Sequence, residues 1–171
     1  MTDSGAVVDL QSAYERALPH VGRTQSVDLG TLAVRDAQRF AMAYGEQSSV
    51  YYDEGAARDA GYAGLPVPPL FLSAILGWQA GPPEAQLLED GNAEEPLGSV
   101  PLDGLRLMGG GQSLRFVEPV LCGSALTMEV VVDKLELKNG RSGPLMLLTV
   151  VRRYLEQERL LVECTETFIA R

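Results

Sequence analysis

Apolar positions along the first quarter of the chain recur with helical spacing. Between Asp9 and Leu18, the residues Leu10, Tyr14, Ala17 and Leu18 fall on one side, which predicts a short amphipathic helix ended by Pro19. Gly22 to Gly30 alternates weakly and closes on Val27-Asp28-Leu29-Gly30, the pattern of a strand. Helical spacing returns from Val34 to Tyr44, with Phe40, Ala41 and Tyr44 together. The chain leaves that helix through Gly45-Glu46-Gln47-Ser48-Ser49-Val50-Tyr51-Tyr52-Asp53, and function often sits on such exits. Gly61-Tyr62-Ala63-Gly64-Leu65-Pro66-Val67-Pro68-Pro69 then leads into the apolar run Leu70 to Trp78. Proline is preorganised for the first helical turn, so a buried helix is expected to begin near Pro68 or Pro69. The unpaired N–H groups of such a helix start can polarise a carbonyl, although a Pro-Pro pair also simply begins a core helix.

The pattern changes from Gly81 to Asp103, where Gly81-Pro82-Pro83, Glu89-Asp90-Gly91-Asn92 and Glu94-Glu95-Pro96 punctuate a polar stretch. About two dozen residues is long for a structureless connection, so the stretch is either a functional flap or partly disordered, with a flap favoured over a domain linker. Beyond it, Gln112 to Val117, Ala125 to Leu137, Leu145 to Leu155 and Leu160 to Ile169 read as strands. They are separated by Pro119, by Lys138-Asn139-Gly140 with Asn139-Gly140 as the hairpin turn, and by Glu156-Gln157-Glu158. A buried helix followed by a long antiparallel sheet is an α+β arrangement.

Composition narrows the function. At 171 residues the chain can bury a sizeable core. Its net charge of -9 argues against a nucleic-acid surface, and no apolar run is long enough for a membrane span. Met1 to Gly5 carries no basic segment ahead of an apolar one, so a cytoplasmic location is expected. Cys122 and Cys164 lack metal-ligand spacing and read as small packed residues. With His20 as its only histidine, placed ahead of the first strand, the chain cannot build a histidine triad or a zinc site alone.

Taken in order, the helix exit, Gly61-Tyr62-x-Gly64-x-x-x-Pro68-Pro69-x-Phe71, Gly110-x-Gln112 and Pro119-Val120-x-x-Gly123 resemble the MaoC-like hot-dog-fold hydratases and dehydratases, most of all their amino-terminal dehydratase domain. The resemblance runs from about Gly22 to Arg171. It implies a hot-dog fold in which a long central helix is wrapped by a curved antiparallel sheet, in one domain with an irregular flap at about 81–103. It also implies pairing with a second hot-dog subunit and a substrate carried on coenzyme A or acyl carrier protein, with no further cofactor. Members add water across a 2-enoyl thioester or remove it from an (R)-3-hydroxyacyl thioester, which needs a base, an acid and donors for the enolate oxygen.

Catalytic members place an Asp after the Gly of this helix exit and a His five residues later; here those positions hold Glu46 and Tyr51. A longer carboxylate arm displaces a base, and a tyrosine donates a hydrogen bond but does not replace histidine near neutral pH. The family's Asn-Pro between them is Ser48-Ser49, its His before the later Gly is Gly109, and its Asp after the later Gly is Ser124. The departures resemble degenerate subunits that pair with a catalytic one, as in the two-subunit dehydratases of mycolic acid synthesis and the paired hydratases of steroid side-chain breakdown. The candidates are therefore Glu46 and Tyr51 for chemistry, and Gly61, Tyr62, Gly64, Val67, Pro68, Phe71, Gly110 and Gln112 for binding the acyl thioester. Each has a plainer role: Glu46 as a helix-end carboxylate, Tyr51 and Tyr52 as packed tyrosines, the glycines as tight turns, Phe71 and Trp78 as core. Arg106 and Arg115 are the basic residues nearest the later glycines, placed to meet a phosphate or to remain surface charge. Two alternatives stay open: a stand-alone homodimer using Glu46, and a non-catalytic acyl-binding or scaffold protein.

Overall fold

The computed structural model describes residues 9–74, 83–87, 100–102 and 104–171. Helix α1 (Leu10–Ala17) is started by the Asp9 carboxylate, which accepts the backbone N–H groups of Gln11 and Ser12 at 3.2 Å. Ala13 and Ala17 are its buried positions, whereas Leu18, expected beside them, lies in the following 3-10 turn and stays exposed. Proline at the next position tightens the chain out of the α geometry, and that rotates Leu18 off the buried stripe.

Strand β1 (Thr24–Thr31) and helices α2 (Val34–Ala43), α3 (Glu54–Asp59) and α4 (Phe71–Ala74) precede four long strands: β2 (Leu107–Phe116), β3 (Ala125–Gly140), β4 (Gly143–Glu156) and β5 (Arg159–Ala170). They form one antiparallel sheet in the order β1-β3-β4-β5-β2. Each of the four ladders carries a register shift, at Asp28/Gly30, Gly109/Gly111, Val132/Lys134 and Tyr154/Leu155. Bulges of this kind add twist and bend, which lets a long sheet curl.

Period-two burial marks the inner face: Met146, Leu148, Val150 and Tyr154 on β4, and Val162, Cys164, Glu166 and Ala170 on β5. Two apolar clusters fill it. One joins Leu32, Phe71, Leu72, Leu126, Tyr154 and Val162, and the other packs α1 through Ala17 against Val130, Val132, Met146 and Leu148. The Tyr154 hydroxyl donates to the Leu72 carbonyl at 3.0 Å, so the start of α4 is tied to the middle of the sheet.

Three expectations shift. The helix after Pro68-Pro69 begins at Phe71, because the Phe71 N–H first closes a turn onto the Pro68 carbonyl at 2.9 Å. The remainder of the expected run, from Ile75 to Trp78, lies outside the described residues. The β3–β4 hairpin turns at Arg141-Ser142 instead of Asn139-Gly140: Gly140 pairs with Gly143, whose φ of +106° supplies the left-handed residue that completes the turn. Strand β2 starts at Leu107, ahead of the expected Gln112, because edge pairing with β5 carries it through three successive glycines. Most of the stretch 81–103, where a flap is expected, lies outside the described residues; near its end Val100 and Leu102 pack into the second cluster.

Candidate functional site

Two helix ends of the same design deliver the site. Helix α2 closes on Gly45 at φ +83°, with the Gly45 N–H on the Met42 carbonyl and the Glu46 N–H on the Ala41 carbonyl. Helix α3 closes on Gly61 at φ +91°, with the Gly61 N–H on the Arg58 carbonyl and the Tyr62 N–H on the Ala57 carbonyl. Both are Schellman caps, where only glycine takes the left-handed position without strain. Each throws the residue after its glycine, Glu46 or Tyr62, off a helix end in a fixed direction.

The Glu46 carboxylate turns back on its own loop: Oε1 accepts the backbone N–H groups of Gln47 at 3.0 Å and Ser48 at 2.9 Å. The Tyr52 hydroxyl donates to the Glu46 carbonyl at 2.8 Å, and Gln38 Nε2 donates to the Tyr51 carbonyl at 3.3 Å. This bonding fixes the 3-10 turn Ser49–Tyr51 that presents Tyr51. Burial first, then the charge of Glu46 and the neighbouring Tyr62, push the Tyr51 phenol above its ordinary pKa. At neutral pH it is therefore a hydroxyl donor and not a base.

Tyr51 and Tyr62 stand at a pocket of about 270 Å³ between two chain segments. The first wall is Pro66 to Pro69 and the second is Phe116 to Val120, with Leu72 and Val162 between them. The walls are joined by backbone: Val67 N–H donates to Val120 O and Cys122 N–H to Leu65 O, both at 2.8 Å, around a Pro66–Leu121 bridge. Among the described residues Glu118 is the one carboxylate of the lining, and Arg159 holds it at 2.6 Å.

The expected residues divide. Tyr51, Tyr62, Val67 and Pro68 meet in this pocket, with Glu46 beside Tyr51. Phe71 is core, edge-on to Phe40 with ring centroids 5.4 Å apart. Gly64 does not line the pocket; its φ is not left-handed and a Cβ there would meet nothing within 4 Å, so no tight turn requires it. Gly110 and Gln112 both sit on β2; Gln112, with Gly109 and Gly111 but not Gly110, lines a separate hollow beside Glu166 and Phe168. A Cβ on Gly110 would come within 3.0 Å of the Thr167 carbonyl, so close strand approach, not a turn, explains that glycine. Arg115 is engaged by Glu163 at 3.2 Å, and Arg106 pairs its backbone with Arg171.

Sequence reasoning missed the second wall and Val162. Pro119-Val120 was the available signal, a proline closing a strand opposite another proline cluster. It also missed the inward ion pair of Arg152 with Glu166, whose side chains are 11% and 10% exposed. Two adjacent arginines in a strand must point to opposite faces, and Arg152-Arg153 therefore announced that one was inside. Among the described residues no cluster of side chains could hold a metal ion, and no helix is long and apolar enough to cross a membrane.

An antiparallel sheet in this order, curled over the start of a helix that it grips through Tyr154, defines a hot-dog fold. The chain belongs to the FAS1-like dehydratase domain region family, whose model matches residues 20–163, within the MaoC-like hydratases and dehydratases. It is 32% identical over 130 residues to a UPF0336 protein of Streptomyces avermitilis, covering 76% of this chain and 75% of that one. It is 31% identical over 109 residues to the mesaconyl-C(4)-CoA hydratase of Chloroflexus aurantiacus, covering 64% of this chain and only 38% of that enzyme. Among solved structures, the ChsH1-ChsH2 complex from Mycobacterium tuberculosis superposes with a TM-score of 0.69 at 13% identity, over 93% of this chain and 88% of that one. The C-terminally truncated HadBC (3R-hydroxyacyl-ACP dehydratase) complex from the same organism gives 0.62 at 18% identity, over 88% and 96%. Both of these neighbours are two-subunit complexes.

Proposed function

We propose that this chain is the acyl-binding subunit of an (R)-specific enoyl-thioester hydratase or 3-hydroxyacyl-thioester dehydratase, paired with a second hot-dog subunit that carries the Asp and His. The observation that carries this reading is the state of the Glu46–Tyr51 pair. One oxygen of the carboxylate is committed to two backbone N–H groups, and the phenol holds its proton through the neutral range. Hydration needs one group to take a proton from water as its oxygen bonds C3, and another to deliver a proton to C2. A carboxylate with one oxygen bonded into its own loop and a phenol whose raised pKa makes it a poor proton donor at neutral pH are weakly suited to both tasks. The apolar pocket beside them supports binding of an acyl thioester carried on coenzyme A or acyl carrier protein, to whose carbonyl the Tyr51 hydroxyl would donate.

A partner has a place to attach. Among the described residues strand β2 is an edge of ten residues, with Met108, Phe116 and the following Val117 at 38%, 51% and 45% exposure. An unpaired edge with apolar side chains favours strand addition.

The test is turnover of short 2-enoyl-CoA thioesters by the purified chain, alone and co-expressed with a hot-dog protein that retains Asp and His. Activity only in the co-expressed pair supports the proposal, with Tyr51→Phe raising KM by about tenfold for one lost hydrogen bond. Activity of the lone chain that Glu46→Gln abolishes would make it a stand-alone homodimer instead. Binding without turnover in either setting would make it an acyl-binding or scaffold protein.

A further inference from the structure

We infer that the pocket admits a short acyl chain only, of roughly six carbons or fewer, and that Val162 sets the limit; this rests on the acyl-binding reading. A water-sized group takes up roughly 30 Å³. Counted up to its mouth, which is open to solvent, the 270 Å³ pocket therefore holds about nine such groups. The carbon, oxygen and sulfur of the thioester use three of them, which leaves about six for the rest of the chain.

The floor does not yield to a longer chain. Val162 and Leu72 are 1% and 2% exposed, and both belong to the main core cluster with Tyr154, Leu161 and Cys164. The backbone of Leu72 is itself held by the bond from the Tyr154 hydroxyl to its carbonyl. Close-packed interiors resist added methylenes at a cost of about 1–3 kcal/mol. Nor do the walls part, since the Val67–Val120 and Leu65–Cys122 backbone bonds hold them at fixed separation. Along β5, Val162 is the side chain that reaches the pocket, so its volume decides where the acyl end stops.

Saturated acyl-CoA thioesters from acetyl to decanoyl, titrated calorimetrically into the full chain, test this. Affinity is expected to rise to butyryl or hexanoyl and to fall at least fivefold by decanoyl. Val162→Phe should weaken hexanoyl-CoA about tenfold while sparing acetyl-CoA, and Val162→Ala should move the optimum to a longer chain. Melting curves establish that each variant is folded, and either variant alone suffices. Decanoyl-CoA binding as tightly as hexanoyl-CoA, or a length preference unmoved in a folded Val162 variant, overturns the length limit alone. No binding anywhere in the series overturns the acyl-binding reading and the limit together.

Discussion

Removing one member of the Arg152–Glu166 pair should destabilise the protein far more than removing both. The two side chains meet on the inner face of the sheet, Arg152 between Val150 and Tyr154 on β4, Glu166 between Cys164 and Phe168 on β5. Each is about nine-tenths shielded, and burial already lowers the Arg152 pKa. Glu166→Leu strands a guanidinium among apolar side chains, and Arg152→Met strands a carboxylate. Breaking a buried pair this way costs about 3–5 kcal/mol, whereas replacing both partners by apolar residues of similar volume is neutral or stabilising. For a chain of this length each kcal/mol shifts the melting temperature by about 2–4 °C, so each single variant should melt roughly 6–20 °C lower. The double variant Arg152→Met/Glu166→Leu should return to within a few degrees of the parent. The carboxylate left by Arg152→Met lies in an apolar site, so its folded pKa rises above its unfolded value. The penalty in that variant is therefore present at neutral pH and diminishes as pH falls toward 5. Urea denaturation of the four proteins at pH 7 and pH 5, treated as a double-mutant cycle, gives the coupling directly. Additive single effects, or a Glu166→Leu cost below about 1 kcal/mol, would refute the assignment of a buried, mutually dependent pair.

Three further outcomes follow from the same packing. Burial pushes the Tyr154 phenol up to about 12, against an ordinary value of 10. Its contribution is present below pH 10 and lost as pH rises through 12, so Tyr154→Phe should remove about 2–3 kcal/mol of the alkaline stability loss, while at pH 7 it costs about 1–3 kcal/mol because the Leu72 carbonyl loses its donor. Gly110→Ala should cost about 1–2 kcal/mol and accelerate amide exchange along β2 and β5, since the new methyl abuts the Thr167 carbonyl. Asp53 accepts the Ala56 N–H at 2.7 Å to start α3, and Asp53→Ala should lower stability by about 1 kcal/mol in the same denaturation assay.

Much of this architecture could be read from periodicity. Strands β3, β4 and β5 announced themselves because alternation over a dozen residues has no helical counterpart, and α2 matched its expected start because its apolar spacing is unbroken. Errors fell where local chemistry gave two answers. Asn139-Gly140 is a sound hairpin signal, but Gly143 three residues later offered a competing left-handed position, and the longer register prevailed. The expected strand began only at Gln112, yet Gly109-Gly110-Gly111 is strand as well, because pairing with β5 supplies what propensity lacks. At the site, the proline turn and both tyrosines were legible as motifs. The wall from Phe116 to Val120 was not, since its relation to Pro66 arises only when the sheet closes. Nor could spacing show that the Glu46 carboxylate bonds Gln47 and Ser48, because that depends on a rotamer rather than on residue type.

The backbone bonds between Leu65–Val67 and Val120–Cys122 carry a mechanical consequence. Strand β2 ends at Phe116, and Val117 and Glu118 direct their N–H groups to the Leu161 carbonyl before the chain reaches that seam. The free edge of the sheet, the anchor on β5 and the proline turn are therefore consecutive links of one short lever. A chain that took hold of the edge and drew β2 outward would move Val120, and Val120 would carry Val67 with it. Edge and pocket would then respond as a single body, the two walls travelling together at an unchanged separation.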